Sequence, residues 1–290
     1  MKIWIEGARP KTWIASLSPV LIGGTLALDL HPISLITFLG CLMFALTLQI
    51  GTNFANDYLD FLKGTDTTDR KGPRRLVQSG LVPVKKMQKA ACAMFVSAGV
   101  IGIGLMFVGG FLIGGLALLA IGLGFFYTGG PYPLGYLGLG DVLVLIFFGP
   151  VATGGVFYLL TGSLSWLPIV AGVSPGLLST ALLALNNLRD WASDQKSQKR
   201  SLIVRFGIEF GQWECALCLL IALCNPLFMF SISQMKRPWS LAGLAPLVLA
   251  LPLIQKIFKD PSPEALAPLF PKVGKVFFFF TLFFCLGWLL

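Results

Sequence analysis

The stretch ITFLGCLMFALTLQIGTNFANDY, residues 36–58, carries no charged side chain until Asp57. A helix that crosses the hydrocarbon core of a bilayer needs about 20 mostly apolar residues. This run has that length, and its polar residues collect at its C-terminal end. Further runs of the same kind lie at 12–29, 88–107, 111–128, 141–160, 166–188, 213–232, 239–256 and 273–290. Only Val108 and the pair Gly109-Gly110 separate the third run from the fourth, and that glycine pair predicts a tight hairpin. The run at 239–256 carries Pro246 and Pro252. Composition points the same way: 56% of the 290 residues are hydrophobic and 12% are charged, with mean hydropathy +0.81. Soluble domains carry about 25% charged residues. The expected fold is all-α, a polytopic membrane protein with about nine transmembrane helices in one bundle and residues 1–290 as a single unit.

The net charge of +9 raises the question of nucleic acid, but the basic residues sit in short loops between apolar runs, where the positive-inside bias accounts for them. With the N-terminus cytoplasmic, 20 of the 22 Lys and Arg residues fall on the inner side, and only Lys236 and Arg237 fall outside. An error in one span would flip the later loops and destroy that asymmetry. Arg9 and Lys11 precede a long apolar segment with no small-residue cleavage site, so the first run reads as a retained span. The cysteines Cys41, Cys92, Cys215, Cys218, Cys224 and Cys285 all lie in apolar runs and read as packing residues. His31 stands alone, without a metal-ligand partner. Gly110/Gly114 and Gly172/Gly176 form G-x-x-x-G pairs suited to close helix packing. Pro150 and Pro175 should kink the fifth and sixth spans.

Two polar segments carry the chemistry. The first is Asn53-Phe54-Ala55-Asn56-Asp57-Tyr58-Leu59-Asp60, continuing to Lys63, Asp66 and Asp69. Gln49, Asn53, Asn56 and Asp60 are spaced 4, 3 and 4, so they share one helix face. The second is Asn186-Asn187-Leu188-Arg189-Asp190, continuing to Asp194, Lys199 and Arg200, with Asn186, Asp190 and Asp194 on one face. Both segments end a span that enters from outside, so both reach the cytoplasmic boundary. Six of the thirteen acidic residues are gathered here. Clustered carboxylates raise one another's pKa and are costly near a bilayer; a divalent cation relieves both penalties. Mg²⁺ takes oxygen ligands, typically one or two carboxylates together with substrate phosphates. Asp57, Asp60, Asp66, Asp190 and Asp194 are therefore the candidate metal ligands, and Asp57, Asp60, Asp190 and Asp194 the candidate catalytic residues. Asn53, Asn56, Lys63, Arg75, Asn186, Asn187, Lys199 and Arg200 suit a diphosphate. A blander reading makes Asp66 and Asp69 solvated loop charges, and makes Arg70, Lys71, Lys85, Lys86 and Lys89 topogenic.

These segments resemble those of the UbiA-type intramembrane aromatic prenyltransferases. The likeness runs along the chain: Arg9-Pro10-Lys11-Thr12 with Ser18-Pro19; Asn56-Asp57-Tyr58 to Asp60, then Lys63-Gly64, Arg75 and Gln78-Ser79-Gly80; Tyr127-Thr128, Tyr136, Gly140-Asp141 and Phe148-Gly149-Pro150; and Asn186 to Asp190 with Asp194 and Lys199-Arg200. Within that superfamily the pattern is most similar to the enzymes that prenylate 1,4-dihydroxy-2-naphthoate. The resemblance implies transfer of a polyprenyl chain from polyprenyl diphosphate to that naphthoate, with loss of CO₂ and diphosphate, in menaquinone biosynthesis at the inner membrane. It implies Mg²⁺ as cofactor and a carbocation-like C1 on the prenyl donor. Tyr127 and Tyr136 are placed to stack on that cation or on the acceptor, or else to sit in the interfacial belt. Two rivals stand beside this reading. One is another aromatic acceptor, 4-hydroxybenzoate or homogentisate. The other is an ion-coupled transporter, against which the acids gather at one boundary and no inverted pair of broken helices repeats.

Overall fold

The computed structural model describes residues 2–65, 72, 74–197 and 199–290. Asp66, Asp69, Arg70, Lys71, Pro73 and Gln198 lie outside the described residues. Twelve α-helices follow in order: α1 (Lys2–Ala8), α2 (Trp13–Leu28), α3 (Leu35–Leu62), α4 (Val84–Phe126), α5 (Gly140–Phe147), α6 (Pro150–Thr161), α7 (Trp166–Lys196), α8 (Leu202–Phe206), α9 (Ile208–Ile232), α10 (Leu247–Lys259), α11 (Pro263–Leu266) and α12 (Phe270–Leu289). Among the described residues, eight helical stretches are long and apolar enough to cross a membrane.

The third of those stretches is α4. Its 43 residues would span about 65 Å as one rod, twice a bilayer core. Gly110, at φ 74° and ψ −174°, breaks it into two arms. The arms fold back on each other: a Cβ on Gly102 would meet Ala117 Cβ at 3.1 Å, and one on Gly114 would meet Met106. Divided there, the count is nine, as the Gly109-Gly110 spacing predicts. Gly114 packs closely, but Gly110 serves the turn rather than a helix interface.

Pro150 does more than kink its span. It sits at the first position of α6, after a break at Phe148 and Gly149 that ends α5. The broken backbone packs on the Gly172/Gly176 face of α7, where a Cβ on Gly172 would lie 2.8 Å from the backbone of Gly149 and Pro150. Pro175, by contrast, lies within a continuous α7. The eighth expected span begins as a 3₁₀ stretch, Pro238–Leu244, and only then becomes α10. Its Trp239 carbonyl presses on Gly287, the reason that position has no side chain.

α7 is the hub, packed against α2, α5, α6, α9 and α12. Leu178, Ala181, Ala184 and Leu185 from its middle are buried in the main core. Large apolar side chains such as Phe107, Phe111, Leu118 and Val248 face outward, as a lipid-facing surface requires. Hydrogen bonds between helices tie the interior: Ser18 with Thr281 at 2.6 Å, and Asn225 Nδ2 donating to Ser174 Oγ at 2.9 Å. Arg237 pairs with Asp29, and Trp288 Nε1 donates to the same carboxylate. A smaller core joins Ala8, Phe54, Tyr58, Leu76, Val77, Val82 and Met87. It clamps the segment after residue 74 onto α1, α3 and the start of α4.

Candidate active site

α3 delivers the first polar segment. Ser34 caps its start, accepting from Thr37 N at 3.3 Å, and the helix continues past the apolar run to Leu62, so Asn53, Asn56, Asp57 and Asp60 are all helical. The buried Asp57 accepts from two backbone amides, Leu76 N at 3.0 Å and Val77 N at 2.9 Å. Leu76 is fully buried beside Gly7 and Phe54. Together these contacts fix the loop and so place the buried Arg75, whose guanidinium donates to Asp60 Oδ2 at 2.8 Å. The other oxygen of Asp60 accepts from Tyr136 Oη at 2.6 Å.

α7 delivers the second. Arg189 Nε and Nη2 each donate to Asp190 at 2.8 Å, a two-pronged pair on neighbouring residues. Asp194 pairs with Lys199 at 3.0 Å. Lys199 Nζ lies 5.9 Å from the centre of the Tyr136 ring, and Lys63 Nζ lies 5.1 Å from it. Arg200 N donates to the Tyr136 carbonyl at 2.9 Å, while its side chain is exposed. Asp60, Tyr136, Lys199 and Asp194 thus form one chain of contacts that joins the two segments at one end of the bundle.

Electrostatics reflects that convergence. Burial opposes the charge on Lys199, but Asp194, Asp60 and Asp190 outweigh it and hold its ammonium above the ordinary lysine range. Burial lowers Lys63, with Asp60 pulling partly the other way. Lys63 also donates to the carbonyls of Thr128 and Gly130, and Thr128 Oγ1 donates to Asn56 Oδ1. Enclosure of the Tyr127 hydroxyl, with Asp141, Asp60 and Asp194 around it, raises that phenol well above its usual value.

Beneath this polar end lies a cavity of about 360 Å³. Asn53, Asn56, Tyr127 and Asn186, all singled out by the sequence, line it. Its walls are otherwise mainly apolar, with Phe44, Leu105, Ile113, Phe148, Val156 and Leu159 among them. Asn53 spends its amide on the Ala8 carbonyl at 3.0 Å and Thr12 Oγ1 at 3.2 Å, so it braces the entry to α2. Asn187 is buried on α7. Asp66 lies outside the described residues. Thr65, whose hydroxyl lies 3.0 Å from Tyr136 Oη, is drawn into the site without having been named; Thr128 and Arg189 stood within the quoted stretches but had been given no role there.

Residues 16–284 match the UbiA prenyltransferase family, and the chain belongs to that family. The transporter reading falls with it. The chain is 34% identical to the 1,4-dihydroxy-2-naphthoate octaprenyltransferase of Haemophilus influenzae, over all of this chain and 96% of that one. It is 34% identical to the enzyme of the same name from Escherichia coli, over 98% and 94%. A UbiA homolog from Archaeoglobus fulgidus, solved bound to DMAPP and Mg²⁺, superposes with TM-score 0.63 at 16% identity, over 96% of this chain and 97% of that one.

Proposed function

We propose that this protein transfers a polyprenyl chain from polyprenyl diphosphate to 1,4-dihydroxy-2-naphthoate, with loss of CO₂ and diphosphate, giving demethylmenaquinone. The carrying observation is the contact chain from Asp60 through Tyr136 and Lys199 to Asp194, set over a mainly apolar cavity. The full-length similarity to naphthoate octaprenyltransferases supports the choice of acceptor.

The diphosphate belongs at the polar end. Lys63, Lys199, Arg75 and Arg200 supply charge for its oxygens, and Asn56 and Asn186 supply neutral amides at the cavity mouth. The donor set suits Mg²⁺, because Asp60, Asp190 and Asp194 offer hard oxygen ligands. Among the described residues no group of three His, Cys, Asp or Glu side chains could hold a metal alone, so the substrate phosphates would complete the coordination. Bound there, Mg²⁺ supplies Lewis-acid stabilisation of the charge that grows on the leaving diphosphate. Asp57 contributes differently from the other aspartates: its two backbone bonds hold the Arg75 loop in place. The polyprenyl chain lies along the apolar walls. Those walls keep water from the carbocation-like C1, and Tyr127 faces that centre from the cavity lining. The electron-rich ring of the acceptor attacks C1, and no protein nucleophile is required.

The polar end is assigned to the cytoplasmic side of the inner membrane, an orientation that the Lys/Arg asymmetry of the loops supports. The test is purified enzyme with radiolabelled polyprenyl diphosphate, offered 1,4-dihydroxy-2-naphthoate, 4-hydroxybenzoate and homogentisate separately, with CO₂ captured. Labelled product and stoichiometric CO₂ from the naphthoate are expected. Product from 4-hydroxybenzoate alone would overturn the choice of acceptor.

A further inference from the structure

The outer side of the first arm of α4 forms one stripe. Lys89, Ala93, Val96, Val100, Ile103 and Phe107 are spaced 4, 3, 4, 3 and 4, so they share a helix face, and all six are exposed. Met87, Ala91, Ala98 and Gly102, on the other side, are buried. Phe107 follows Lys89 by 18 residues, about 27 Å along the helix, close to the ~30 Å of a bilayer's hydrocarbon core. The Gly110 turn closes the arm just beyond Phe107. Lys85, Lys86 and Lys89 therefore stand at the opposite boundary, at the level of lipid headgroups. That boundary is the polar end of the bundle, because Met87 shares the small core with Tyr58 and Ala8. On the same core rests α1, whose Ile3, Trp4 and Ile5 are exposed apolar side chains suited to an interface.

All three lysines are exposed, and among the described residues none has a carboxylate at ion-pair distance. Arg75, Arg189, Lys199 and Arg237 each have one. The helix itself gives no reason for the lysines: its dipole disfavours cations in the first turn, and no acid stands there to balance them. A topogenic role asks only for positive charge somewhere in the loop. Here the charges crown a continuous apolar face instead, with Lys85 four residues and Lys86 three residues before Lys89. An amphiphile with its chains against that face and a negative head at its end would complement both halves of the surface. A zwitterionic head carries its own cation, so the better complement is a phospholipid of net negative charge.

We propose that the start of α4 is a binding site for an anionic phospholipid, its phosphate held by Lys85, Lys86 and Lys89 and its acyl chains lying along the exposed face of residues 96–107. The site is on the outside of the bundle, apart from the mouth of the cavity. Its occupant steadies more than α4: Met87 and Leu76 belong to one small core, and Leu76 follows Arg75, so a lipid that holds the start of α4 also holds the loop that places the Arg75 guanidinium.

The test follows thermal unfolding of the full-length protein in detergent, titrated with phosphatidylglycerol, phosphatidylcholine or inorganic phosphate. It needs no substrate, so it stands or falls apart from the proposed prenyl transfer. A ligand that binds only the folded state raises the unfolding temperature. Wild type should respond to phosphatidylglycerol and not to the other two. Each lysine removed should raise the half-maximal lipid concentration about fivefold, so Lys85→Gln/Lys86→Gln/Lys89→Gln should raise it on the order of 100-fold. Lys256→Gln/Lys259→Gln/Lys275→Gln, which removes as much charge from other loops counted as inner, should leave it unmoved. Lys85→Arg/Lys86→Arg/Lys89→Arg should stay close to wild type. If the first triple variant does not fold, Lys89→Gln alone should still show its fivefold shift. An equal response to phosphatidylcholine, or to inorganic phosphate as a free anion, would overturn the site. So would wild-type affinity in the glutamine variants at 85, 86 and 89, or an equal loss in the triple variant at 256, 259 and 275.

Discussion

Asp60 and Asp57 lie three residues apart on one helix, yet they do different work, and substitutions can separate them. Asp60 is shared between Arg75 and Tyr136. Asp60→Asn should lower kcat/KM by about 100-fold or more, the scale of a lost transition-state electrostatic contact, and should raise the Mg²⁺ concentration needed for half-maximal rate. Tyr136→Phe keeps the ring beside Lys63 and Lys199 but removes the bond to Asp60, so a drop of about tenfold is expected in the same assay. Asp57→Ala strands two buried backbone amides and should cost at least about 2 kcal/mol, read as earlier thermal unfolding in detergent. Asp57→Asn retains one acceptor and should leave the Mg²⁺ midpoint unmoved. A midpoint shift as large as that of Asp60→Asn would return Asp57 to the metal ligands. This division was not legible in the spacing N-D-x-x-D. The partners of Asp57 are backbone amides about 20 residues away, and no local pattern announces them.

At the level of helices, hydropathy located the spans but not their ends. α3 and α7 continue to Leu62 and Lys196, beyond the apolar runs, because a helix persists wherever its backbone is bonded, whether or not lipid surrounds it. α1 was missed for the same reason: it is short and lacks a long apolar run. The hairpin at Gly109 and Gly110 was legible because two glycines interrupt an otherwise unbroken apolar stretch. The break before Pro150 was legible only as a kink; its depth depends on the bare Gly172/Gly176 face that receives it. Gly110→Val places a β-branched residue in a backbone region essentially reserved for glycine. A loss of about 1–3 kcal/mol is expected in thermal unfolding, with kcat at permissive temperature near wild type, since the turn lies far along α4 from Tyr127.

Across the whole molecule, the fold brings both polar segments to one end of the bundle, and the charge count predicts that this end is cytoplasmic. Arg237, one of the two cations counted as outward, is paired with Asp29, so its charge does not argue against that prediction. Single cysteines at Lys85 and Lys236 in a variant lacking the native thiols give the check. A membrane-impermeant maleimide should label the second in intact cells and the first only after permeabilisation. Removing Asp29 should expose the cost of that outward charge: Asp29→Asn strands a half-buried guanidinium and should destabilise the protein by about 1–3 kcal/mol, a loss that Arg237→Gln in the same chain should relieve.

At the mouth, three carboxylates are each clasped by a cation: Asp60 by Arg75, Asp190 by Arg189 and Asp194 by Lys199. Phosphate arriving alone must pull guanidinium and ammonium groups away from carboxylates and leave those carboxylates bare. Metal arriving alone must do the reverse. Only when both come does every ion find a new counterpart, so each ligand should tighten the other by the same factor, as linkage demands. Titration calorimetry of polyprenyl diphosphate with and without Mg²⁺, and of Mg²⁺ with and without the diphosphate, should return equal ratios well above one.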